Sequence, residues 1–152
     1  MYPATQIMRH KDSVNYSFEP DIIHDVFGHQ ACMLIPEVNQ VHHKCGLASI
    51  VCEPHERELL SAIFWFTFEV GLCWDEQDPT QRKLLGGSLL SGITDSEIAM
   101  DPKTPLTPLN PDLSRLLYSD IQYSEVQRKH IVSKPIKEMV RDIDQWLDSF
   151  IE

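Results

Sequence analysis

The residue whose type and setting point most directly to chemistry is Glu69. It is the only charge in the sixteen-residue apolar run from Leu59 to Trp74, LLSAIFWFTFEVGLCW. An unpaired carboxylate in such a setting costs several kcal/mol, so Glu69 requires an arginine, a hydrogen-bond cluster or a metal ion as partner. A second apolar segment, HDVFGH, carries His24 and His29. Two histidines and one carboxylate form the facial triad of non-haem Fe(II) oxygenases, which leaves coordination positions open for dioxygen and substrate. The same three residue types also make hydrolytic zinc sites, for which Asp25 or Glu97 would be the candidate general base. A spacing of five turns about 140° on an α-helix, poor for two ligands of one ion. Gly28, just before His29, offers a place for the helix to end or kink and swing His29 inward.

The elements that must position these residues read as follows. Residues 1–20 are polar and broken by Pro3 and Pro20, hence loop or extended chain. A helix begins at Asp21, and a short one follows over PEVNQVHHKC, stopped at Gly46. His42 and His43 on that helix are adjacent, do not face a common point, and read as a solvated pair. The longest helical signal runs from Glu56 to Leu72, apolar all round as in a helix buried on every side. Residues 75–83 read as a charged loop, and LLGGSLLSGI as a tight turn or a close backbone approach to a ligand. Prolines at 102, 105, 108 and 111 match the polyproline II period over 101–112 and read as a surface connection. Over 135–151, Ile136, Met139, Val140, Ile143, Leu147 and Phe150 form one stripe of an amphipathic helix. A short strand or two is expected between Asp120 and Val132. The fold class is mainly α with a minor β element, in a single domain over 1–152.

Composition narrows the function. A net charge of -10 argues against a nucleic-acid partner, because phosphate backbones are bound by clustered Lys and Arg. No long apolar stretch suits a membrane span, and the first residues lack a secretory layout. Cys32, Cys45, Cys52 and Cys73 form no CxxC pair and read as free thiols in a reducing cytoplasm. The expected target is a small molecule, and a homo-oligomer stays open.

Four motifs in order resemble one family. EPDIIHDVFGH, at 19–29, is similar to the iron-binding EPDxxHExxGH of the aromatic amino acid hydroxylases. FWFTFEVGLC, at 64–73, resembles their YWFTxEFGLC, and TQIMRH followed by Tyr16 and Ser17 resembles TQYIRH…YTPEPD. LLGGSLLSGI is similar to YGAGLLSS, so the likeness spans residues 5–93. The resemblance implies His24, His29 and Glu69 as ligands of Fe(2+), and Arg9 as the residue that binds the carboxylate of an aromatic amino acid. It implies Ser17, Trp65, Ser88 and Ser91 as substrate-pocket residues, and tetrahydrobiopterin as cofactor beside dioxygen. Phe18, just before the ligand helix, and Asp25 are the candidate pterin contacts. Asp25, Phe64, Val70 and Phe18 replace the family's glutamate, tyrosine, phenylalanine and proline. Family catalytic domains carry a long segment before the arginine motif, including the pterin loop, so the sequence reads as an N-terminally shortened core. The implied reaction is hydroxylation of a phenylalanine- or tryptophan-like ring. A pterin-independent iron oxygenase and a non-catalytic metal-binding relative are the alternatives.

Overall fold

The computed structural model describes residues 4, 6–13, 15, 19–110, 112–116, 118–123, 125–127 and 129–151, with residues 150 and 151 by backbone alone. Ser17 and Phe18 lie outside the described residues. Five α-helices carry most of the fold: α1 (Pro36–Val51), α2 (Pro54–Phe64), α3 (Gly87–Ser91), α4 (Ile93–Met100) and α5 (Ile136–Ile151). Two π-helical segments, His24–Gln30 and Trp65–Glu69, bear the candidate ligands.

The amphipathic stripe at the C-terminus packs on α1. Met139, Val140, Ile143 and Leu147 are buried there with Val38, Val41 and Ala48. Full burial of such side chains contributes roughly 1.5–3 kcal/mol for each larger one, so this helix pair is a main anchor of the core. Lys44 closes the rim with Asp144 at 2.9 Å and Asp148 at 2.6 Å. α1 does not stop at Gly46 as expected. It runs to Val51, because Ala48 is buried one turn from its end and Gly46 sits in open space. One interior glycine costs only about 1 kcal/mol relative to alanine, less than that packing returns.

α2 begins with Pro54 and a capping box in which Glu56 accepts from the Glu53 backbone N–H at 2.8 Å. The helix expected to reach Leu72 ends in α-form at Phe64, continues as a π-turn to Glu69, and gives way to a strand. The β element is a four-stranded sheet in the order β2-β1-β4-β3: β1 Leu72–Trp74, β2 Arg82–Leu84, β3 Leu106–Pro108 and β4 His130–Ser133. β1 pairs antiparallel with β2 and parallel with β4, while β3 adds parallel to β4. β4, buried at all four residues, is the strand expected before Val132. The other three correct the sequence reading. Part of the proline-rich connection is an edge strand, where a proline that donates no ladder bond is tolerated. The loop over 75–83 closes a hairpin, with Asp75 paired to Lys83.

Cys52 and Cys73 are buried and Cys32 and Cys45 half-buried, all as free thiols. Among the described residues no helix is long and apolar enough to cross a membrane.

Candidate metal centre

The spacing of His24 and His29 is solved by the backbone. Residues His24–Gln30 form a π-helix, closed by the Ala31 N–H on the Val26 carbonyl at 3.2 Å. An i→i+5 ladder carries more residues per turn, so positions five apart stack on one side. The two Nε2 atoms accordingly lie 3.0 Å apart, with the rings edge-on at 74°. Gly28 neither ends nor kinks the helix, contrary to the sequence expectation. Its role is close approach: a Cβ there would sit 2.8 Å from Gly87 Cα.

Glu69 is delivered by the second π-turn, closed by the Val70 N–H on the Trp65 carbonyl at 2.8 Å. Its Oε1 stands 3.2 Å from His24 Nε2 and its Oε2 3.1 Å from His29 Nε2. All three residues are at most 4% exposed. Ser88 Oγ donates to Oε1 at 2.8 Å, but the buried Oε2 has no hydrogen-bond partner. Ser91 Oγ donates to the Gly87 carbonyl at 2.8 Å and is therefore left to accept from His24 Nδ1–H at 3.2 Å. That bond sets the tautomer with the Nε2 lone pair facing Glu69 and His29. Two ring nitrogens and a carboxylate then converge, their ligand atoms all within 4.8 Å of one another. A cation between them would satisfy the orphaned oxygen, and the donor set suits Fe(II) or zinc.

Protonation agrees. Burial pushes His24 down, against the raising field of Glu69, so its imidazole is neutral at pH 7. Burial raises Glu69, but the adjacent His29, with His24 and the Ser88 hydroxyl, outweighs it and holds the carboxyl below its ordinary value. Neutral imidazole and ionised carboxylate are the forms that bind metal.

The paired glycines of LLGGSLLSGI, which read as a tight turn or a close backbone approach to a ligand, lie against the candidate metal ligands themselves. A Cβ on Gly87 would meet His29 Nε2 at 2.8 Å, and one on Gly86 the Glu69 carbonyl oxygen at 2.3 Å. Gly87→Ala is therefore expected to push the His29 ring off the site. Iron affinity should fall about 10–100-fold, the range seen when ligand orientation is disturbed. Competition against a calibrated chelator measures it, and unchanged affinity would remove the steric argument.

Arg9 is the most changed of the expected site residues. It is buried, not free: Nε and Nη2 donate to the Asp21 carboxylate at 2.7 and 2.8 Å, and Nη1 donates to the Ser91 carbonyl at 2.5 Å. Two of its five N–H groups remain for another acceptor. Asp21, given no role by the sequence reading, also accepts from the backbone N–H of Arg9 and of His24. Its place in EPD, beside the ligand helix, was the available signal.

Ser88 and Ser91, expected in the substrate pocket, have their hydroxyls turned to Glu69 and His24. Asp25 takes the Ala4 N–H at 3.1 Å through Oδ2, while Oδ1 is buried without a partner. Glu97 is exposed on α4 and is not among the convergent ligands. Of the pair read as solvated, His43 is exposed but His42 is half-buried. It packs between Phe64 and Phe68, with Nδ1 bonded to the Val38 carbonyl at 2.9 Å, and burial lowers its pKa. Phe64 in turn lies against the His29 ring, 6.2 Å between centroids. Trp65 is 8% exposed and donates its indole N–H to Gln127 at 2.9 Å. A cavity of about 590 Å³ between α1 and α2 is walled by Phe64 and Trp65 but by none of the three ligands.

A helical core with two π-turns brings a buried 2-His-1-carboxylate set to one point, a donor set able to hold one metal ion. The sequence profile of the biopterin-dependent aromatic amino acid hydroxylases matches residues 1–151, and the chain belongs to that family. Phenylalanine-4-hydroxylase of Dictyostelium discoideum is 29% identical over 151 residues, 99% of this chain and 33% of that protein. Tyrosine 3-monooxygenase of Schistosoma mansoni is 27% identical over 98% of this chain and 31% of its own length. The chain thus spans about a third of these relatives. Phenylalanine hydroxylase from Legionella pneumophila shares the fold, with a TM-score of 0.77 at 21% identity over 98% of this chain and 64% of that one. Phenylalanine hydroxylase of Chromobacterium violaceum, solved with iron(III) and 7,8-dihydrobiopterin, aligns at 0.75 with 22% identity, over 92% of this chain and 50% of that one.

Proposed function

We propose that this chain carries the iron centre of an aromatic amino acid hydroxylase, a monooxygenase that uses dioxygen and a reduced pterin on a phenylalanine- or tryptophan-like substrate. The observation that carries the reading is the orphaned buried oxygen of Glu69 facing two imidazole nitrogens 3.0 Å apart. Bound Fe(II), with electrons from the pterin, supplies the dioxygen activation that places one oxygen atom on the ring. The protein's own residues do the rest. Ser91 and Ser88 hold His24 and Glu69 in their ligating states. Phe64, Phe68 and the buried Trp65 give the surroundings an apolar wall that limits water. The free thiols suit a reducing cytoplasm.

Arg9 binds the substrate carboxylate in this reading, through the two N–H groups that Asp21 and Ser91 leave over. Asp21 fixes the guanidinium plane beforehand, which reduces the ordering cost of recognition. Arg9→Lys keeps the charge but cannot serve Asp21 as a fork and the substrate together. Affinity for phenylalanine or tryptophan should drop about tenfold or more with the iron retained. Calorimetry on the Fe(II)-loaded protein decides this, alongside a melt to confirm the fold. Equal affinity in Arg9→Lys overturns the role of Arg9. Formation of hydroxylated product coupled to tetrahydrobiopterin oxidation tests the reaction itself.

A further inference from the structure

Trp65 occupies a double position. Its backbone carbonyl accepts the hydrogen bond that closes the π-turn ending at Glu69, and its ring walls the cavity between α1 and α2. What holds that ring comes from a distant part of the chain. The indole N–H donates to Gln127 Oε1 at 2.9 Å, and the Tyr123 ring meets the indole edge-on at 4.8 Å.

Gln127 is itself held in place. It is 3% exposed, and its Nε2 donates to the Asp120 carbonyl at 3.4 Å. With Nε2 committed to a carbonyl, the amide oxygen can only be the atom that faces the indole. The orientation of the amide is thus determined by its partners, not by an arbitrary flip. One side chain therefore links the Trp65 ring, and through that residue the Glu69 turn, to the Asp120 carbonyl.

The geometry points to Gln127 as a positioning residue: by accepting the Trp65 indole N–H it fixes the ring that an aromatic substrate packs against. The inference rests on the proposed hydroxylase reading for the identity of that substrate, but not for the anchoring itself. Gln127 touches no proposed ligand or substrate atom and acts only through Trp65. A structural filler at this position would be replaced by any side chain of similar volume, whereas an acceptor for the indole would not.

The test is a double-mutant cycle on the Fe(II)-loaded protein, with Gln127→Met and Trp65→Phe separately and together. Methionine keeps the volume and removes the strong acceptor, and phenylalanine removes the donor. Gln127→Met is expected to shift the Trp65 indole proton resonance toward that of a non-bonded indole and to weaken phenylalanine binding about tenfold. In the Trp65→Phe background the same substitution should change affinity less than twofold. A penalty of equal size in both backgrounds, or an unmoved indole resonance, overturns the proposal. If the wild type binds no aromatic amino acid, the hydroxylase reading fails, and the indole resonance still decides whether Gln127 anchors the ring. If Gln127→Met does not fold, Gln127→Asn in the same cycle carries the decision, since it retains the amide while shortening its reach.

Discussion

Glu69→Ala protein is expected to bind no stoichiometric Fe(II), and to lose the thermal stabilisation that iron gives the wild type. Glu69 is the only carboxylate among the candidate ligands in the described residues, and its Oε2 has no hydrogen-bond partner. Without it, two imidazoles whose Nε2 atoms lie 3.0 Å apart must hold the ion alone. Ligand binding stabilises the native state by mass action, about 2.7 kcal/mol when free metal is 100 times its dissociation constant. For a chain of this size that raises Tm by roughly 5–10 °C. Glu69→Gln sharpens the comparison, because it keeps the shape and the Ser88 contact while removing the charge. Iron binding should also follow pH with a definite sign. His24 and Glu69 are both held below their ordinary pKa values, so neither competes with metal for a proton above about pH 6.5. Affinity should fall as acid protonates His24 and then Glu69. Elemental analysis and paired melts with and without Fe(II) read all of this. Full iron occupancy in Glu69→Ala would remove the triad.

The candidate ligands are legible because chemistry breaks a pattern: one carboxylate in a sixteen-residue apolar run has to be explained. The backbone that makes them converge is not. A π-turn has no pattern of its own in sequence, and here it is held from outside, by Gly28 against Gly87 and by Trp65 against Gln127. The C-terminal helix was legible to within a residue, since its apolar stripe is long and of one period. Leu72 reads as the end of a helix, and the strand Leu72–Trp74 goes unseen, because three apolar residues carry too little periodicity to separate strand from helix. Leu106 to Pro108 was hidden by proline spacing, and only its pairing with β4 makes it a strand. Arg9 looks like a surface residue until Asp21, twelve positions on, is folded beside it. His42 likewise takes its burial from Phe64 and Phe68, which lie more than a helix away. Local signals reported which groups needed partners; long-range packing chose the partners.

Asp21→Ala should be among the most destabilising single substitutions in the chain. The carboxylate is fully buried and accepts from Arg9 N, Nε and Nη2 and from the His24 backbone N–H, at 2.7–3.1 Å. Removing it leaves a 6% exposed guanidinium without its counter-charge. Breaking one side of a buried pair costs about 3–5 kcal/mol, against a total stability of roughly 5–15 for a domain. Tm should fall by roughly 6–20 °C at this chain length. Replacing both partners, as Asp21→Leu with Arg9→Met, should recover much of the loss, because no buried charge is then left unpaired. The acid limb of stability gives an independent reading. The Arg9 hydrogen bond, opposed by burial and aided by the His24 and Arg9 backbone N–H groups, holds Asp21 well below the usual carboxylate range. A depressed folded pKa contributes stability that is present above the unfolded value near pH 4, and is lost as pH falls through the folded one. Wild-type melts should therefore decline between about pH 4 and pH 2 by more than Asp21→Ala melts do. Iron affinity should weaken in Asp21→Ala as well, since the lost His24 N–H bond frees the start of the ligand helix. A variant that melts within about 2 °C of the wild type, with the same acid profile, would show that the Arg9–Asp21 pair does not hold this end of the site.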